Sequence, residues 1–206
     1  MKKLICIILI LCAVLTGCVV RDPGPPTEWM FNTAAGYFAM EEAMKMEDAD
    51  LEAFAEDRGF WLVPGFHNIR ENAECVREMV REVKIPQIDG YKMEFITVNP
   101  EVGRTEVFIR LQGAQTAHVL YTFEEKWEHL WKATLGIRGE EKINNPNAER
   151  LYFTERDENI EGEQIYRFGA VVDDKYVQIF VFGGTYEDAE KMVSAMRFVD
   201  IEELRR

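Results

Sequence analysis

Residues 165–196 read IYRFGAVVDDKYVQIFVFGGTYEDAEKMVSAM, and this stretch decides the fold class. Ile165–Val172 and Tyr176–Phe182 are apolar runs of strand length, and Asp173-Asp174-Lys175 between them has the composition of a hairpin turn. After the hairpin, the apolar residues recur at three to four positions, which predicts a helix capped by Thr185. The stretch therefore predicts an antiparallel hairpin followed directly by a helix.

The second strand of this hairpin is apolar on both of its faces. Val177, Ile179 and Val181 alternate with Tyr176, Phe180 and Phe182. A strand of this composition is typical of the middle of a sheet that is covered on both sides. We therefore expect this strand to be central and not at an edge.

Weaker patterns before the hairpin extend the prediction. Alternation with a period of two residues predicts strands at 91–97, 105–111 and 117–123, with a shorter one at 151–154. Helical spacing predicts helices from Thr27 to about Arg58, from Asn68 to Lys84 and from Glu124 to Leu135. Together these patterns predict an α+β fold: an antiparallel sheet of five or six strands with helices packed on its faces and an N-terminal helical segment.

The chain is strongly acidic. Its 206 residues include 37 Asp and Glu against 24 Lys and Arg, which gives a formal net charge of −13. A surface of this sign repels phosphate backbones, so nucleic acid is excluded as a partner. An acid excess commonly serves solubility, and its alternative use is an acidic face for a basic partner or for Ca²⁺.

The start of the chain has the three parts of an export signal. Met1-Lys2-Lys3 is basic, Leu4 to Leu15 is an unbroken apolar run, and Leu15-Thr16-Gly17-Cys18 follows. These last four residues resemble the lipobox of bacterial lipoproteins, in which the Cys thiol receives diacylglycerol and a dedicated peptidase cuts before it. The resemblance covers residues 1–18 and implies that Cys18 becomes the lipid-bearing first residue. The alternative is an uncleaved membrane anchor, for which the apolar run is short.

The predicted domain organisation follows from this cleavage site. Residues 1–17 are the signal peptide, 18–26 are the lipidated Cys with a Pro-rich tether, and 27–206 form a single α+β domain. The lipid makes the membrane a partner and places the protein on the extracytoplasmic side of the cell envelope. Val19 stands where an Asp marks inner-membrane retention in many lipoproteins, so the resemblance implies the outer membrane if the host has two membranes.

The N-terminal helical pattern contains a candidate ligand surface. Six residues recur at helical spacing and are predicted to point inward: Met30, Ala34, Tyr37, Phe38, Met40 and Met44. Methionines at this spacing suit plain core packing, and their alternative use is an adaptable binding surface. In that second interpretation, Met40 and Met44 border a shallow apolar groove together with Trp61.

The histidines offer little for catalysis. His67, His118 and His129 form no pair at metal-ligand spacing, and the motifs of serine hydrolases, zinc proteases and phosphate-binding loops are absent from the sequence. His118 and His129 flank the point where a predicted strand leads into a helix, and they are candidate site residues. We predict no catalytic residue, no metal and no cofactor.

Cysteine chemistry is equally restricted. The chain has four Cys, of which Cys6 and Cys12 leave with the signal and Cys18 carries lipid. The remaining Cys75 has no partner for an internal disulfide. Glu71, Glu74 and Glu78 on the same predicted helix raise the pKa of a neighbouring thiol, so Cys75 is expected to be a poor nucleophile.

Two functions remain after these exclusions. The first is a membrane-anchored binding or interaction module for an envelope protein or a small-molecule ligand. The alternative is an envelope hydrolase that uses carboxylate or His residues. A shallow apolar groove near Trp61 favours the binding module, whereas a deep pocket holding His118, His129 or two buried carboxylates favours the hydrolase.

Overall fold

The computed structural model describes residues 29–63, 65–100, 106–123 and 141–205. The helices in these ranges are α1 Thr33–Ala43, α2 Asp48–Asp57, α3 Ile69–Glu82 and α4 Tyr186–Ala195. The strands are β1 Trp29–Phe31, β2 Ile85–Gln87, β3 Lys92–Asn99, β4 Glu106–Gln112, β5 Thr116–Thr122, β6 Glu141–Lys142, β7 Arg150–Glu158, β8 Gln164–Val172, β9 Lys175–Phe182 and β10 Arg197–Val199. A 3₁₀ turn, Ile201–Leu204, follows β10.

The main sheet confirms the predicted α+β class. Its strand order is β1-β3-β4-β5-β9-β8-β7-β6, with antiparallel neighbours throughout, and β2 pairs separately with β10. The sheet has eight strands, whereas the sequence predicted five or six. The two additional strands, β1 and β6, lie at the edges and span three and two residues, which is too short for alternation to reveal them.

The hairpin that decided the fold class forms as predicted. Asp173 and Asp174 both have positive φ angles, 51° and 61°, which is the backbone of a two-residue type I′ turn. This turn joins β8 to β9, and β9 lies between β5 and β8. The predicted central position of β9 is therefore confirmed. The helix that follows is α4, and Thr185 and Asp188 form the predicted capping box at its start.

One face of the sheet packs on the helices. Val107, Ile109, Val119, Val177 and Ile179 are buried on this face, in the same apolar core as the inward side chains of all four helices. On the opposite face the aromatic side chains of β9 are only half-buried and lie outside that core. The coverage of β9 is thus unequal on its two faces, because all four described helices join the core on the first face.

The N-terminal segment differs from the prediction. The predicted helix was to begin at Thr27, which lies outside the described residues, and to point Met30 inward. Trp29–Phe31 instead forms β1, which pairs with β3, and α1 begins only at Thr33. Met30 is 49 % exposed because successive side chains of a strand point to opposite faces, and Trp29 and Phe31 take the buried side.

Two other predicted helical stretches are close to the prediction, whereas the helix predicted from Glu124 to Leu135 lies outside the described residues. The helical pattern predicted up to Arg58 divides into α1 and α2, and α2 is followed by Gly59, whose φ of 68° is the left-handed conformation of a helix C-terminus. Asn68 caps α3 by accepting a hydrogen bond from the backbone N–H of Glu71. Among the described residues, no helix has both the length and the apolar character that a membrane crossing requires.

Candidate functional site

An open groove lies between α2 and the beginning of α3. Its volume is about 380 Å³. The residues that line it come from α2, from the loop after α2 and from the first turn of α3: Glu52, Ala55, Glu56, Gly59, Phe60, Trp61, Leu62, His67, Asn68 and Ile69. Most of these residues are apolar or neutral, so the groove is suited to an apolar group.

Two large apolar side chains stand exposed at this groove. Trp61 is 52 % exposed and Leu62 is 45 % exposed. The chain reverses at Gly59 and turns Phe60 inward, where its ring stacks on that of Trp29 with the centroids 4.6 Å apart. Because Phe60 occupies the available core position, the next two side chains remain at the surface.

A buried asparagine holds the loop in place. The side-chain oxygen of Asn72, which is fully buried on α3, accepts a hydrogen bond from the indole N–H of Trp29 at 3.0 Å. The same oxygen accepts a longer bond, 3.4 Å, from the backbone N–H of Val63. Asn72 therefore ties β1, the Trp61 loop and α3 together, and the groove is largely preformed.

The predicted ligand surface is only partly realised. Met40 is fully buried and Met44 is 8 % exposed, so both belong to the core and neither lines the groove. Of the three residues predicted to border it, Trp61 alone does so. The apolar side chains of α1, among them Met40, pack in the core because this helix lies against β3 and buries its apolar face. His129 lies outside the described residues.

His118 lies on β5, on the sheet face opposite the helices. Its imidazole ring packs against the rings of Phe108 and Phe182, with centroid distances of 4.9 and 4.4 Å. Its Nε2 atom is buried and has no hydrogen-bond partner within the part of the chain that the structure describes. Burial lowers the pKa of His118 from 6.5 to about 4, and the neighbouring Arg110 contributes to this shift.

The free energy of unfolding should depend on pH in a way that reflects the burial of His118. Between pH 6.5 and about 4 the unfolded chain binds a proton at His118 that the folded chain does not, so this residue makes the protein less stable as the pH falls through that window. We expect the His118→Gln variant to lose less stability between pH 7 and pH 4.5 than the unmodified protein does, as measured by urea unfolding. An equal loss in both proteins would contradict this assignment.

Cys75 is half-buried on α3. Burial raises the pKa of its thiol, and the carboxylates of Glu78 and Glu82 raise it further. The sequence correctly anticipated the direction of the shift and the contribution of Glu78. The contribution to the pKa that was expected from Glu71 and Glu74 comes instead from Glu82, which follows Cys75 by two turns of α3.

No two buried carboxylates lie together among the side chains that the structure describes. Glu41 is the one buried acid among those side chains, at 6 % exposure. It pairs with Arg81 at 2.6 Å and with Arg205, and it accepts a hydrogen bond from the Tyr37 hydroxyl at 3.1 Å. These contacts link α1 to α3 and to the C-terminal turn. Within the described ranges, no cluster of three His, Cys, Asp or Glu side chains could hold a metal ion.

A second depression, of about 500 Å³, lies between the β4–β5 turn and α4. Asp89, Gln115, Asp188 and Lys191 are among the residues that line it. Two of its large apolar residues, Met192 and Ile88, are buried, with 5 % and 9 % exposure. This depression therefore offers polar side chains but no exposed apolar surface comparable to Trp61 and Leu62.

The sequence missed most of the groove. Leu62, Ile69 and Phe60 line the groove, and none of the three was predicted as a site residue. The available signal was the run Phe60-Trp61-Leu62 directly after a helix-ending glycine. In a loop of this length, three large apolar side chains cannot all reach the core, so some must remain at the surface.

Comparison of the chain with protein-family models, with curated proteins and with solved structures finds no match.

Proposed function

We propose that this protein is a lipid-anchored, extracytoplasmic binding module of the cell envelope, and that the groove beside Trp61 binds an apolar part of a partner protein. The observation that carries the proposal is the exposure of Trp61 and Leu62, 52 % and 45 %, on a loop that Asn72 holds in place. Clustered exposed aromatic and aliphatic residues are typical of interaction sites.

The anchor part of the proposal rests on the lipobox-like residues Leu15 to Cys18. Cys18 lies eleven residues before Trp29, where the first described strand begins. An extended segment of that length reaches about 35 Å. The groove is close to this entry point because Phe60 stacks directly on Trp29. The tether therefore holds the groove within a few tens of ångströms of the bilayer, where envelope proteins are available as partners.

Photo-crosslinking in living cells tests the binding site. A photoreactive phenylalanine analogue is placed at position 61 or 62, and at position 160 as the control. Ile160 is a fully exposed apolar residue, but it lies at the tip of the β7–β8 hairpin and does not line the groove. We expect discrete crosslinked products from positions 61 and 62 and none of them from position 160.

The outcome against the proposal is equally clear. If all three positions give the same products, or if positions 61 and 62 give none, the groove does not bind a partner. The Leu62→Asn variant provides a second measurement, since a neutral polar side chain in place of the apolar one should weaken the crosslinks formed from position 61. Leu62 is half-exposed, so this substitution should leave the fold intact.

A further inference from the structure

The Asp, Glu, Lys and Arg residues that line the groove are all of one sign, negative. Helix α2 carries five acidic residues and no basic residue in the sequence DADLEAFAED. Leu51 and Ala55 take its buried side, so the acidic side chains lie toward solvent. Two of them, Glu52 and Glu56, line the groove beside Trp61. No Lys or Arg is among the residues that line it.

Of the five acids on α2, only the two at its ends form ion pairs in the described part of the chain. Asp48 pairs with Arg70 and Asp57 pairs with Arg58. In the described part of the chain, Glu52 and Glu56 form no ion pair.

Arg70 already binds other groups and is not available to form an ion pair with Glu52 or Glu56. Besides Asp48, it donates hydrogen bonds to the backbone oxygens of Met44 at 2.6 Å and Met46 at 2.8 Å. The fold therefore leaves two negative charges at the groove uncompensated. A ligand that supplied positive charge there would satisfy them.

We propose that the groove binds a cationic amphipathic segment of a partner polypeptide. Large apolar side chains of that segment would contact Trp61, Leu62 and Ile69, while its Lys or Arg residues would face Glu52 and Glu56. These two glutamates are four positions apart on one helix, a spacing that places their Cβ atoms about 5–6 Å apart, and they can engage basic residues at one side of the bound segment. The Trp61 ring also offers a cation–π contact to a basic side chain.

This inference rests on the proposed binding function and specifies its partner. An acidic segment would be repelled by Glu52 and Glu56. A neutral apolar segment would leave both carboxylates without compensation next to an apolar contact, which is unfavourable. Charge complementarity therefore favours the cationic partner over either alternative.

Two synthetic peptides with the same Leu and Phe pattern test the inference, one with Lys and one with Glu at all polar positions. Their binding to the full-length lipidated protein in a non-ionic detergent is measured by fluorescence anisotropy, with empty micelles as the blank. We expect the Lys peptide to bind, the Glu peptide not to bind, and the affinity of the Lys peptide to fall as salt is raised.

Variants separate the apolar contribution to binding from the electrostatic contribution. Trp61→Ala should weaken binding of the Lys peptide about tenfold or more. Glu52→Gln together with Glu56→Gln should weaken it by about three- to tenfold, as expected for partly exposed ion pairs. The matched control combines Ile160→Ala with Glu161→Gln, which removes one exposed apolar residue and one exposed acid from the β7–β8 hairpin. This control should leave binding unchanged.

The failures of the two proposals are distinguishable. If the Lys peptide does not bind, if both peptides bind equally, or if the Gln variants bind like the unmodified protein, the cationic-partner inference is wrong. The proposal that the groove is a binding site would still hold if Trp61→Ala weakened binding or if crosslinks formed at position 61. If Trp61→Ala and the hairpin control had equal effects, the site assignment would also be wrong.

Discussion

Replacement of Trp29 by alanine should lower the free energy of unfolding by about 3–5 kcal/mol, which is the usual cost of truncating a fully buried tryptophan. Trp29 has no exposed surface. Its ring stacks on Phe60 and lies 6.4 Å from that of Phe31. Because a domain of this size is commonly stable by about 5–15 kcal/mol, the loss would be a large fraction of the total.

The effect should extend to the groove. Without the indole N–H, the buried oxygen of Asn72 keeps only its 3.4 Å bond from Val63, and Phe60 loses the ring on which it stacks. The Trp61 loop should therefore become more mobile when Trp29 is removed. Trp29→Phe retains a ring but removes the donor, so it should cost clearly less than Trp29→Ala.

Urea unfolding of four proteins checks this prediction: the unmodified chain and the Trp29→Ala, Trp29→Phe and Trp61→Ala variants. Trp61→Ala is the matched control, because it removes the same type of side chain from a site that is 52 % exposed. We expect the Trp61→Ala variant to lie within about 0.5–1 kcal/mol of the unmodified protein. Comparable destabilisation by the two alanine variants would contradict the assignment of Trp29 to the core and of Trp61 to the surface.

Replacement of Cys18 by serine should abolish lipid attachment entirely. The lipobox resemblance implies that the Cys18 thiol is the acceptor of diacylglycerol and that cleavage follows lipidation. A serine hydroxyl is a far weaker nucleophile at neutral pH than a thiol. We therefore expect no incorporation of labelled palmitate, an uncleaved precursor on gels, and loss of the lipid-anchored form from the membrane fraction.

Cys75→Ser is the matched control for this experiment. It removes the Cys that follows the lipobox-like segment in the sequence, which lies half-buried on α3 and is not proposed to carry lipid. The Cys75→Ser variant should incorporate palmitate and be processed like the unmodified protein. If the Cys18→Ser precursor were still labelled and cut to the same size, the anchor would have to be placed elsewhere.

Local sequence signals predicted the elements whose ends and periods are set by neighbouring residues. The cap of α3 at Asn68 and the capping box of α4 at Thr185 are formed by side chains within three positions of the helix start. The turn at Asp173-Asp174 depends on residues that tolerate positive φ. Such features are short-range, so they can be identified from the sequence without knowledge of the partners.

The candidate site could not be predicted in the same way. Met40 and Trp61 are both large apolar residues in the N-terminal half of the chain, yet one is fully buried and the other is half-exposed. The difference arises because Phe60 and Trp29 fill the same region of the core from positions far apart in sequence. Which of several apolar side chains remains outside is decided by competition for a limited volume.

The sequence by itself determined the α+β class, the central β8–β9 hairpin, the caps of α3 and α4 and the acidic charge, since these depend on composition and on residues close together in the chain. The tertiary structure alone decided that β1 and β6 extend the sheet, that Met30 faces outward, and that the groove beside Trp61 is lined by Leu62, Glu52 and Glu56 and not by Met40 and Met44. Those outcomes depend on long-range pairing and on which side chains fit into one shared core, and neither is encoded in the local pattern around each residue.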